Sequence, residues 1–176
     1  MARADTPVGI DRARHQDLAG RGHHVWQRRA ALVVIAVIPL LGLLNVFGQR
    51  TVFDSTQSPA ASMLINSPAH VRGGLVFTTE IVITAPRQLQ DARLYLDNGW
   101  FAGMTLNGIA PQPSSESAQG RWQVWDFGKI GAGVVYRVWI SWQTNPTTFG
   151  RRPQHVALYD GGSKLLTVHH TLTVFP

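Results

Sequence analysis

The run Ala30–Phe47, AALVVIAVIPLLGLLNVF, carries no charge over 18 residues. As a helix rising about 1.5 Å per residue it spans roughly 27 Å, close to the ~30 Å hydrocarbon core of a bilayer. Pro39 would kink a soluble helix, whereas helices in lipid tolerate proline because neighbouring groups satisfy the freed carbonyl. With a short overhang the pattern predicts a transmembrane helix over residues 25–48. Trp26 beside Arg28 and Arg29 suits the membrane interface, and Asn45 lies where its amide can reach headgroups or water. Pro39, Gly42 and Asn45 form a candidate helix-contact face, since small and polar residues serve that purpose in lipid. Three readings compete: a buried core helix, a cleaved signal peptide and a twin-arginine signal. A signal peptide has an apolar region of about 7–15 residues followed by a small-x-small cleavage site. The segment Gly48-Gln49-Arg50-Thr51-Val52-Phe53 offers no such site, and the residues around Arg28-Arg29 fit a twin-arginine pattern only loosely.

Charge sets the orientation. The 176-residue chain has net charge +6 and a pI near 10.8. Half of that charge lies in the first 29 residues, where six arginines face three aspartates. Residues 1–24 therefore read as a basic, largely disordered cytoplasmic tail. Arg21, Arg28 and Arg29 flank the apolar run on its N-terminal side, and only Arg50 is close on the other. The positive-inside rule then puts the N-terminus in the cytoplasm of a bacterial cell and residues 50–176 outside the cytoplasmic membrane. The basic groups serve topology and contact with anionic headgroups, not nucleic acid, for which no recognition motif is present.

Beyond a linker at residues 49–60 the pattern changes to period two. Leu75, Phe77, Thr79, Ile81 and Ile83 alternate with a more polar set, so Glu80 should face water. Similar strands are expected at 62–65, 92–97, 104–109, 122–127, 134–142, 155–159 and 164–175. Asp97-Asn98-Gly99 and Asp160-Gly161-Gly162-Ser163 are strong turn signals. Residues 110–120 and 145–153 read as polar loops. The fold class is all-β: an antiparallel immunoglobulin-like sandwich of seven or eight strands over residues 61–176, after one N-terminal transmembrane helix. The absence of cysteine removes disulfides and leaves apolar packing to hold it.

The stretch Trp125, Phe127, Gly128, Ile130 and Gly133, followed by the alternating strand Val134–Trp142, resembles bacterial cell-surface immunoglobulin-like domains, the CARDB type among them. The resemblance spans about residues 75–176, and here the domain occurs once instead of in tandem. It implies a non-catalytic sandwich used for adhesion, spacing or partner contact.

The sequence holds no Gly-x-Ser-x-Gly elbow, no phosphate-binding glycine loop and no His-Glu-x-x-His. No enzyme activity, cofactor or metal is expected. His169 and His170 point to opposite faces of one strand, while His155 could approach His170 across a hairpin. A surface histidine plus a partly buried one explains these residues without a metal.

Five tryptophans fall in the exported part. Trp142 shares the apolar face of its strand. Trp100, with Phe101 beside it, Trp122, Trp125 and Trp139 are interaction candidates, because exposed aromatics anchor interfaces. Arg151 and Arg152 give the 145–153 loop a cationic tip. The sequence points to a membrane-anchored protein that contacts another membrane or envelope protein. A cell-wall glycan bound through exposed tryptophan is the competing reading.

Overall fold

The structure, a computed structural model, describes residues 22–44 and 49–176. The chain divides into two units, residues 1–47 and 48–176. Among its described residues the first contains one helix, α1 (Gly22–Leu43), with Pro39 inside it. Its stretch Val25–Leu43 is long and apolar enough to cross a membrane, with mean hydropathy 1.5, and is not buried within the protein. Trp26, Arg28, Arg29, Pro39 and Gly42 are all exposed. Asn45 and the tail through residue 21 lie outside the described residues.

The second unit is built from eleven strands: β1 (Thr51–Gln57), β2 (Ser62–Pro68), β3 (His70–Arg72), β4 (Val76–Thr84), β5 (Leu89–Asp97), β6 (Met104–Ala110), β7 (Ser115–Gln119), β8 (Trp122–Ile130), β9 (Val135–Thr144), β10 (Gly150–Asp160) and β11 (Ser163–Phe175). One sheet has the order β1-β2-β4-β9-β6, the other β3-β11-β10-β5-β8-β7. The pairings are antiparallel except that of β3 with β11. The inner faces meet in one core.

That core follows the alternation in the sequence. Phe77, Thr79, Ile81 and Ile83 of β4 are buried, as are Val138, Ile140 and Trp142 of β9 and Leu166, Val168, Leu172 and Val174 of β11. Each large apolar side chain buried in this way contributes about 1.5–3 kcal/mol. Glu80 faces outward and pairs with Arg137 on the neighbouring strand. In the other sheet Arg93 of β5 lies between Asp91 and Asp126, at 2.7 and 3.3 Å. Desolvation alone would lower its pKa; the two carboxylates outweigh it and hold the guanidinium above its ordinary value.

Three strands go beyond the eight expected. Residues 51–57, expected within the linker, form β1, in register with β2 from Thr51–Pro68 to Gln57–Ser62. Its half-buried residues are Val52, Asp54 and Thr56, two of them polar, so it shows no apolar alternation. β7 lies within the expected 110–120 loop and is exposed at every position. β3 has only three residues.

A buried polar clasp joins the sheets. His170 of β11 points inward, with its side chain fully buried, and its Nδ1 lies 2.7 Å from Asp54 Oδ2 of β1. Its Nε2 lies 3.2 Å from the Pro68 carbonyl oxygen at the end of β2. The ring stacks on Trp100 at 6.1 Å.

Candidate interaction surfaces

One end of the sandwich is organised by the turn after β5. Asp97 Oδ1 accepts a hydrogen bond from Gly99 N at 3.1 Å, and Phe101 N donates to Asn98 O, closing a single 3-10 turn over Asn98–Trp100. Gly99 packs against β10 so closely that a Cβ there would lie 2.0 Å from the Pro153 carbonyl oxygen. Only glycine allows this approach. The turn drives Trp100 into the core, where its Nε1 donates to His155 O at 3.2 Å and its ring stacks on Trp142 at 5.8 Å.

Two grooves flank this turn and share Asn98 and Arg121 on their walls. The first, about 420 Å³, runs past Phe101 and Trp122. The second, about 440 Å³, runs past Phe149, Arg151 and Arg152. Arg121 lies over the Trp122 ring, 5.1 Å from its centroid. Arg152 Nη1 donates to Ala102 O, while its buried Nε has no partner. No carboxylate forms an ion pair with Arg121, Arg151 or Arg152 among the described residues. Asp97 lines the second groove, but its side chain is engaged by Gly99 N and faces His155.

Of the seven interaction candidates, Phe101, Trp122, Arg151 and Arg152 therefore border these grooves. Trp139 stands apart on the outer face of the five-stranded sheet, 44% exposed, between Glu80 and Ala110 on the neighbouring strands. Trp100 and Trp125 are fully buried and offer no surface. The capped turn buries Trp100. Trp125 pairs with the inward-facing Leu94 of β5 and so takes the inner face of β8, meeting Phe101 edge-on at 6.2 Å. Arg121 and Phe149, the latter 73% exposed, were not among the candidates. Arg121 sits in the tight connection between β7 and β8, which is visible as a hairpin only once β7 is recognised.

The histidine pairing also differs from expectation. A register shift at Leu158/Tyr159 sets His155 opposite His169, while His170 is opposite Gln154. The two Nδ1 atoms of His155 and His169 are 2.7 Å apart. His170 turns to Asp54 instead.

These features define a class: an immunoglobulin-like β-sandwich behind one apolar N-terminal helix. No protein-family pattern and no curated protein sequence matches the chain. Among solved structures it is similar to the CARDB domain of a Pyrococcus furiosus protein, at 12% identity and TM-score 0.42, covering 62% of this chain and 89% of that domain. It is similar to a chain of the CaDoc0917–CaCohA2 complex, at 10% identity and TM-score 0.42, over 60% of this chain and 94% of the other. A FixG-related protein from Vibrio parahaemolyticus matches at 13% identity and TM-score 0.39, over 68% and 100%.

Proposed function

We propose that this chain is a non-catalytic, single-pass protein of a bacterial cytoplasmic membrane, with its N-terminus inside and its sandwich outside. The sandwich holds another membrane or envelope protein through the end bearing the Asn98–Trp100 turn. The observation that carries this reading is the pair of joined grooves, where Arg121, Arg151 and Arg152 have no carboxylate partner and Phe149 stands exposed. Planar guanidinium groups beside apolar surface suit an acidic protein segment with an apolar neighbour. Sugar stacking is less well served. The Trp122 ring carries Arg121 on its face, and Trp139 lies on the outer face of the other sheet.

Two measurements test this. The full chain is expected to stay in the membrane pellet after alkaline carbonate, with a C-terminal tag digested by protease added outside intact spheroplasts. A shortened, carbonate-soluble product would defeat the anchor. Crosslinking in mild detergent is expected to recover a stoichiometric membrane or envelope protein. The double substitution Arg121→Glu and Arg151→Glu should cut that recovery at least about tenfold, since charge reversal at an interface costs several kcal/mol. Unfolding should shift little, within about 0.5 kcal/mol for such surface sites. Recovery unchanged by the charge reversal, or retention on cell-wall material alone, would overturn the assignment of the groove.

A further inference from the structure

On the outer face of the six-stranded sheet, His169 of β11 and His155 of β10 sit directly opposite each other. Their Nδ1 atoms are 2.7 Å apart and their rings meet at 76°. At that distance one Nδ1 carries a proton and the other presents its lone pair. The other nitrogen of His155, Nε2, lies 3.8 Å from Asp97 Oδ2. Asp97 is itself fixed by Gly99 N through its second oxygen. A carboxylate behind an imidazole favours the proton on the near nitrogen, so Nε2 of His155 keeps its hydrogen and Nδ1 is the acceptor toward His169. This is the arrangement in which a metal-binding histidine is oriented by a carboxylate behind it.

We propose that His155 and His169 bind a single divalent transition-metal ion, of the zinc or nickel type, between their Nδ1 atoms, with Asp97 as the positioning residue. Imidazole nitrogen suits these ions better than calcium or magnesium. Metal–nitrogen bonds of about 2.0–2.1 Å in tetrahedral geometry require the two nitrogens to stand about 3.3 Å apart. The nitrogens must separate by about 0.6 Å and each lone pair must turn by about 35° off the line between them toward the metal, and His169 is exposed and able to give. The proton between the rings moves from His169 Nδ1 to its own Nε2. Both imidazoles stay neutral, two nitrogen lone pairs reach the metal, and no proton leaves the pair. Water completes the coordination. Among the described residues no third histidine or carboxylate converges on the same point, so the site is open to a further ligand.

The test uses the full chain in detergent micelles, without a histidine tag, titrated with zinc chloride and separately with nickel chloride. One saturable equivalent is expected at this site. His155→Gln and His169→Gln should each weaken it at least tenfold, and Asp97→Asn by about 10–100-fold. His70→Gln, on the edge strand β3, should leave it unchanged. In the unsubstituted protein, zinc should shift the ring nitrogen resonances of His155 and His169 and leave those of His170 in place, a reading that does not depend on any variant folding. Absence of saturable binding up to about 1 mM, affinity indifferent to the double His155→Gln/His169→Gln substitution, or zinc leaving the His155 and His169 ring resonances of the unsubstituted protein in place would overturn the proposal.

Discussion

Trp142→Ala is expected to lower the unfolding free energy of the sandwich by about 3–5 kcal/mol. Trp139→Ala, on the same strand, is expected to change it by about 0.5 kcal/mol or less. The two residues are three positions apart on β9 and therefore on opposite faces. Trp142 is fully buried, stacked on Trp100 at 5.8 Å and edge-on to Phe101 at 5.4 Å. Truncation removes a large volume from the junction of β9, the Asn98–Trp100 turn and β11. The backbone around it is paired on both sides of β9, so the void can close only in part. The Trp142 indole nitrogen has no hydrogen-bond partner. Neither variant therefore loses a satisfied donor, and Trp142→Phe should cost less than truncation because it leaves the smaller void. Urea unfolding of the full chain in detergent, followed by far-ultraviolet dichroism, reads all three variants. The reverse order, with Trp139→Ala costing the ~3–5 kcal/mol and Trp142→Ala about 0.5 kcal/mol or less, would mean that β9 is displaced by one residue from this register.

The same contrast shows what the sequence made legible. β4, β9 and β11 are long, and each buries one face, so their period-two pattern gives both element and orientation. Parity alone put Trp142 inside and Glu80 outside. Trp125 needed more. Its face depends on pairing with Leu94 of β5, a partner 31 positions away that no local pattern reveals. Trp100 lies on a turn, where parity has no meaning, and only the close approach of Gly99 to Pro153 sends it inward. β7 buries nothing, so it has no period to read. The proposed interaction end was legible in part, since Phe101, Trp122, Arg151 and Arg152 all border its two grooves. Its completion by Arg121 and Phe149 depended on which hairpins close around it. The histidines were legible as a hairpin pair, but the turn register alone would set His155 opposite Val168, and only the one-residue shift at Leu158/Tyr159 brings it opposite His169.

β1 was the strand hidden most completely, and the reason leads to the second large effect. Its middle inward residue is Asp54, a carboxylate where an apolar residue would be expected. Its partner, His170, lies 116 positions away on the other sheet. Asp54→Ala is expected to destabilise the sandwich by about 1–3 kcal/mol, the cost of leaving a buried polar group unsatisfied. The larger cost of breaking a fully buried ion pair, about 3–5 kcal/mol, is an upper bound, because the Asp54 side chain is 37% exposed. His170 then keeps only the Pro68 carbonyl, with its ring still held against Trp100. His170→Phe should restore part of the loss in the Asp54→Ala background, since a ring of similar shape needs no partner there. A double-mutant cycle over Asp54 and His170 should therefore show a coupling of about 0.5–3 kcal/mol. Hydrogen exchange should show where the loss falls. β1 forms an edge with β2 as its neighbour in the sheet, so its amides, and not those of β4 or β9, should lose protection first. Uniform loss across both sheets would mean that the clasp supports the whole core instead of one edge. Local loss would make β1, the strand that follows α1 in the chain, a separately releasable element. Asp54 and His170 would then set how firmly β1 stays in the sandwich.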